Sequence, residues 1–143
     1  MKTAYKRYLI LFVLVTAAAV AIGTIGIAKQ KSHIYFIPDG YTGWVEIRYD
    51  QKDSPALAVE GKSYVHVVPE TGIVTTSNAP TAGKMEFYYI DKQGYRNEIG
   101  LDLIHGQAMK SKETPLSDGT MQKESVNRFF VGTEQQFHEA TKK

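Results

Sequence analysis

Four histidines, His33, His66, His105 and His138, are the side chains of this chain best suited to proton transfer or metal ligation, and they stand far apart in the sequence. None is paired at ligand spacing, so each reads first as a surface or hydrogen-bonded structural residue. His105 has a carboxylate near it in Asp102-Leu-Ile-His105-Gly106, and a hydrolase-like site could be assembled around it if the fold delivered Asp102 and Glu70 or Glu86. Asp50 and Asp53 lie three apart, but calcium takes about six to eight oxygens and this pair supplies too few. The hydroxyls of residues 71–77, with Ser63 and Ser125, have no histidine tied to them by spacing. H-E-x-x-H, G-x-S-x-G, the phosphate-binding G-x-x-x-x-G-K-S/T and calcium-loop patterns are all missing. The expectation is therefore a protein that is not an enzyme and holds no cofactor or metal, with the His105 hydrolase as the alternative.

Aromatic residues carry more information. Tyr41, Trp44, Tyr88, Tyr89 and Tyr95 fall on or beside stretches of strand character, and one tyrosine of the adjacent pair must face away from the core. Exposed rings next to Arg48 and Arg96 suit stacking on a sugar or gripping a protein. The candidate binding residues are thus Tyr41, Trp44, Arg48, Tyr95, Arg96 and His105. The competing reading buries those rings as packing under a loop or the C-terminal helix.

The elements that would position them follow from pattern. His33–Ile37 is a strand ended by Pro38, which cannot donate to a ladder. After an Asp39-Gly40 turn, Val45, Ile47 and Tyr49 alternate with Trp44, Glu46 and Arg48, predicting a strand with one buried and one partly wet face. A polar loop, 50–61, tucks Leu57 inward. Lys62–Val68 alternates again, a Pro69–Gly72 turn follows, and Ile73–Ser77 is a β-branched strand. Met85–Ile90 and Tyr95–Leu103 flank Asp91-Lys-Gln-Gly94 as a hairpin. Gly106–Ser125 lacks periodicity and reads as a long loop, either functional or disordered. Val126–Val131 is a last strand, and Thr133-Glu-Gln-Gln136 is a capping box opening a helix from Glu134 to about Thr141, with Phe137 on the sheet. Six to seven short strands and one late helix predict a mainly β fold, an antiparallel β-sandwich over residues 33–141.

Residues 8–28, YLILFVLVTAAAVAIGTIGIA, contain no charge and match the roughly 20 residues that cross a bilayer core. Residues 1–28 are a transmembrane anchor buried in membrane lipid or a signal peptide, and 29–32 are a linker. Unbroken length favours the anchor, while Gly26-Ile27-Ala28 offers a cleavage site that would release a secreted form. Lys2, Lys6 and Arg7 precede the segment and Lys29 and Lys31 follow it, which places the N-terminus inside and the domain outside. Setting aside the three leading cations, 17 basic residues become 14 against 15 acidic ones, so the remainder carries no nucleic-acid footprint. Absence of cysteine removes disulfides, thiolate sites and a lipidated cysteine together.

The ordered set Ile37-Pro-Asp-Gly-Tyr-x-Gly-Trp-Val45, Val68-Pro-Glu-x-Gly72, Tyr88-Tyr-Ile-Asp91, Ile104-His-Gly106 and Phe130-Val-Gly-Thr133 resembles a family of small exported proteins of Gram-positive bacilli classed as a domain of unknown function. The resemblance covers nearly all of residues 33–137 and implies a place outside the cytoplasm, with no activity, cofactor or site to carry over. More loosely, the order of strands and Pro–Gly turns is similar to the transthyretin-like sandwiches beside secreted carboxypeptidases, an analogy of fold only. The expected function is a membrane-anchored, single-pass envelope protein whose outer domain is a non-catalytic binding or structural module. Its expected partner is an envelope protein or polymer.

Overall fold

The computed structural model describes residues 31–142, so the anchor or signal segment at 1–28 lies outside the described residues. Among the described residues no helix is long and apolar enough to cross a membrane. The elements are β1 (Ser32–Pro38), β2 (Gly43–Tyr49), β3 (Ala58–Glu60), β4 (Ser63–Val67), β5 (Ile73–Thr75), β6 (Met85–Ile90), β7 (Arg96–Glu98), a 3-10 turn at Leu101–Leu103, β8 (Ile104–Pro115), β9 (Met121–Val131) and α1 (Glu134–Thr141).

They form two sheets, ordered β3-β4-β1-β6-β7 and β5-β2-β9-β8. The alternation in β2 is as its sequence predicts: Val45, Ile47 and Tyr49 are buried and Trp44, Glu46 and Arg48 face outward. In β1 both faces are covered. Tyr35 and Ile37 point between the sheets with Val45, Ile47, Phe87, Phe129 and Val131, while Ile34 and Phe36 join Val65 in a smaller cluster on the outer face. A central strand flanked on both sides reads as a continuous apolar run, which is what His33-Ile-Tyr-Phe-Ile37 is. Leu57 packs against the main core, held by its amide donating to Asn78 Oδ1 at 2.8 Å.

Three expectations are corrected. The sheets are mixed rather than antiparallel, because β1 runs parallel to both β4 and β6, and β2 runs parallel to β5. Parallel neighbours require a crossover, and the chain supplies one each time: it leaves the first sheet for β2 before β4 arrives, and for β5 before β6 arrives. The strand count among the described residues also rises to nine, the additions being the three-residue β3 and the whole of β8.

The third correction concerns 106–125, which is no loop. β8 and β9 pair as a long antiparallel hairpin from Ile104↔Val131 to Pro115↔Met121. Its turn is closed by Leu116 N to Thr120 O at 2.8 Å and by Asp118 Oδ1, which accepts from both Thr120 donors. Residues 106–115 are exposed on both faces, so no apolar period of two exists to betray the strand; the register sets Lys112 opposite Glu124 and Glu113 opposite Lys123, an arrangement of opposite charges that favours it. The Met85–Ile90 hairpin is present with Tyr88 opposite Glu98, but its second strand stops at Glu98 and gives way to the 3-10 turn.

At one end of the core the inner face becomes polar. His33 and His66, distant in sequence, meet because β1 and β4 are parallel neighbours. His33 Nε2 donates to the Thr81 carbonyl at 3.0 Å, so its Nδ1 is left to accept from His66 Nε2 at 3.1 Å. His66 therefore carries a lone pair on Nδ1, a buried atom without a hydrogen-bond partner among the described residues. Its ring stacks on Tyr35, with centroids 4.4 Å apart. Burial first, and then the neighbouring His33, lower the His66 pKa from 6.5 to about 3.

This pair makes stability depend on pH in a defined sense. The unfolded chain protonates His66 near 6.5 while the fold keeps it neutral to about 3, so the unfolded state binds the extra proton in that window and stability falls as the pH falls through it. Denaturant unfolding between pH 7 and 3.5 should show His66→Gln losing less stability than the wild type, the difference approaching about 1 kcal/mol per pH unit. Parallel curves for the two proteins would remove His66 as the cause.

Candidate functional site

Trp44, Glu46 and Arg48 leave the outer face of β2, and the register of the second sheet decides what stands beside them. Trp44 faces Phe130, Glu46 faces Arg128 and Arg48 faces Val126 across to β9. On β8, Ala108 faces Arg128, Lys110 faces Val126 and Lys112 faces Glu124. This face thus carries Arg48, Lys110, Lys112 and Arg128 against Glu46 and Glu124, a surplus of positive charge.

A groove of about 340 Å³ runs over it, with Trp44 and Arg128 on one side and Lys110, Ala108 and Gly106 on the other. The Arg128 guanidinium lies 3.8 Å above the centre of the Trp44 ring, a cation–π contact. Arg48 Nε is already committed to Glu46 Oε1 at 2.6 Å. The cations that face the groove are Arg128 and Lys110.

Trp44 is half-buried, and what covers its far side is the C-terminal helix. The capping box sits where its sequence places it: Thr133 Oγ1 accepts from Gln136 N at 3.3 Å, and Gln136 Oε1 accepts from Thr133 N at 2.8 Å. That start aims Phe137 back at the sheet, where its ring packs edge-on to Trp44 at 5.8 Å and beside Phe130 at 5.7 Å. His105 completes the cluster by stacking on Phe137 at 5.4 Å and donating through Nε2 to the Gly132 carbonyl at 3.0 Å. Gly106 makes room for it, with φ of +59°; a Cβ there would lie 2.7 Å from Phe137.

Of the residues singled out in sequence, the fold gathers Tyr41, Trp44, Arg48 and His105 around β2 and α1. Tyr41 acts from beneath, its hydroxyl donating to the Trp44 carbonyl at 2.6 Å. Tyr95 and Arg96 belong to the other sheet. Tyr95 is 70% exposed in the β6–β7 turn, and Arg96 makes a two-pronged ion pair with Glu60 at 2.8 Å while lying 4.3 Å over Phe36. His105 is not joined to a carboxylate: Asp102 lies in the 3-10 turn, Glu86 pairs with Lys84 at 2.6 Å, and Glu70 follows β4. Among the described residues no group of three or more His, Asp or Glu side chains could hold a metal.

Sequence reasoning missed Arg128 and Lys110. Arg128 was discoverable, since alternation through Val126–Val131 puts it on the face opposite Asn127 and Phe129. Lys110 was not, because it sits on the strand that the apolar pattern hides.

The packing predicts a specific failure. Gly106→Val should force Phe137 away from its seat, expose Trp44 and shift its fluorescence to the red, while costing about 1–3 kcal/mol of stability. An unchanged spectrum would show that α1 does not depend on this contact.

None of the curated proteins matches this chain. Among solved structures, a protein of Bacillus anthracis named "Putative Lipoprotein" shares the fold, with a TM-score of 0.58, 21% identity, and 73% of this chain and 72% of that one covered. Residues 29–140 match the model described as "Family of unknown function (DUF6843)", and the chain therefore belongs to that family.

Proposed function

We propose that this protein is a non-catalytic binding module of the cell envelope, held outside the cytoplasm by residues 8–28, that takes an anionic polymer along the outer face of its second sheet. Residues 1–28 serve as the membrane anchor in this reading; release after Ala28 would give the same domain in secreted form. The observation that carries it is the Trp44–Arg128 stack edged by Lys110 in one groove. Trp44 holds the guanidinium over its ring, and the guanidinium edge offers paired donors to a phosphate or carboxylate. The lipoprotein name of the Bacillus anthracis structure agrees with a place in the envelope.

A non-catalytic role is supported by His105. Its ring is sandwiched against Phe137 and its Nε2 is spent on a backbone carbonyl, so it serves the aromatic packing rather than a nucleophile.

Capture of wall polymer from intact envelopes by the full-length protein tests the reading. Arg128→Gln and Lys110→Gln, both on the solvated face, should weaken capture several-fold each and make it less sensitive to salt. Trp44→Ala should reduce it at least tenfold, and Arg96→Gln on the other sheet should leave it unchanged. Equal capture by Trp44→Ala and wild type would detach the groove from function.

A further inference from the structure

The two sheets do not close evenly. At one end Ile37, Val45 and Val131 are fully buried and seal the core with apolar side chains. At the other end a cavity of about 350 Å³ opens between the sheets, walled by His33, Tyr35, Tyr49, Met85, Met109 and Asn127. That volume lies in the range of small-molecule sites.

Its chemistry is uncharged: among the described residues no Asp, Glu, Lys or Arg lines it. His33 contributes no free charge either: one ring nitrogen is held by Thr81 and the other by His66, and burial lowers its pKa. A charged guest would give up its hydration here without a counter-charge. The walls instead offer three rings and two thioethers, surfaces that favour an aromatic guest through stacking and sulfur–ring contacts.

Polar reading groups stand at the back. The Tyr35 and Tyr49 hydroxyls interact with each other, Tyr35 also with the Asn127 side chain, and burial raises both tyrosine pKa values so that they remain neutral donors. Asn127 is itself 5% exposed and can both donate and accept. The rim is adaptable: Met109 is half exposed, Gln107 Nε2 reaches Met85 Sδ at 2.9 Å, and the β8–β9 ladder is interrupted beside them, between His105 and Ala108.

We propose that this inter-sheet cavity is a binding site for a small uncharged aromatic molecule carrying a hydroxyl or amide group. It shares only Ala108 with the Trp44 groove, and the groups that report on it, Met85, Met109 and Asn127, do not line that groove, so either can fail without the other.

The test is a titration of the full-length protein in detergent with phenol and benzamide as probes, and benzoate and benzylamine as their charged counterparts. Binding is read from the methyl signals of Met85 and Met109 and the side-chain amide of Asn127. Both neutral probes should produce saturable shifts at these groups at about 1–10 mM, the range open to ligands of that size, and the charged probes should bind at least tenfold more weakly. Met109→Trp, a change at the exposed rim that leaves the core alone, should abolish the shifts at Met85 and Asn127. Asn127→Leu should weaken binding tenfold or more. Absence of saturable shifts with both neutral probes, equal binding of the charged ones, or undiminished binding by Met109→Trp would each overturn the proposal.

Discussion

Aromatic contact between the two sheets is the interaction on which this fold rests. Tyr35 of β1 stacks on Phe87 of β6 at 4.9 Å, and both meet the edge of Phe129 of β9, at 5.3 and 5.2 Å. With no disulfide available, burying these rings must supply most of the force that holds sheet to sheet. The rings come from the central strands of the first sheet and an inner strand of the second, so their packing sets how the sheets lie against each other. Everything placed on the outer faces inherits that geometry.

Two different surfaces follow from one alternation. Along β2 and β9 the inward residues build the core while the outward ones, Trp44, Glu46, Arg48, Arg128 and Phe130, build the groove. The groove is charged, solvated and shaped by a helix that leans on it through Phe137. The inter-sheet opening is its inverse, neutral and ringed by aromatic and thioether groups. The buried histidine pair stands behind that opening and keeps it uncharged, at the cost of one lone pair on His66 without a partner. Such a cost at the open end of an otherwise apolar core is what a site tends to carry and a plain core avoids.

The parts of the fold that could be read from residues were those where burial writes a period. The run His33–Ile37, the alternation Val45–Tyr49, the Asp91–Gly94 hairpin and the Thr133 capping box each have a local physical cause, and each stands where that cause puts it. β8 was hidden for the converse reason: a ribbon wet on both faces has no apolar beat, and its pairing is a backbone ladder. The parallel order of β1, β4 and β6 was equally hidden, since turn signals between consecutive strands suggest hairpins and say nothing about a chain that changes sheet at five of its eight steps.

By itself, then, the chain's sequence determined which segments are strands with a buried face, which residues face outward on them, and where the helix begins, because these depend on neighbours within a few residues. Only the tertiary structure decided that His33 meets His66 across parallel strands, that Arg128 lies over Trp44, that Arg96 is spent on Glu60, and that Tyr35, Tyr49 and Asn127 share one opening. Each of those meetings joins residues from different strands, and their distance is set by sheet order and register. Those in turn come from the packing of all the inward side chains at once, which no local pattern records.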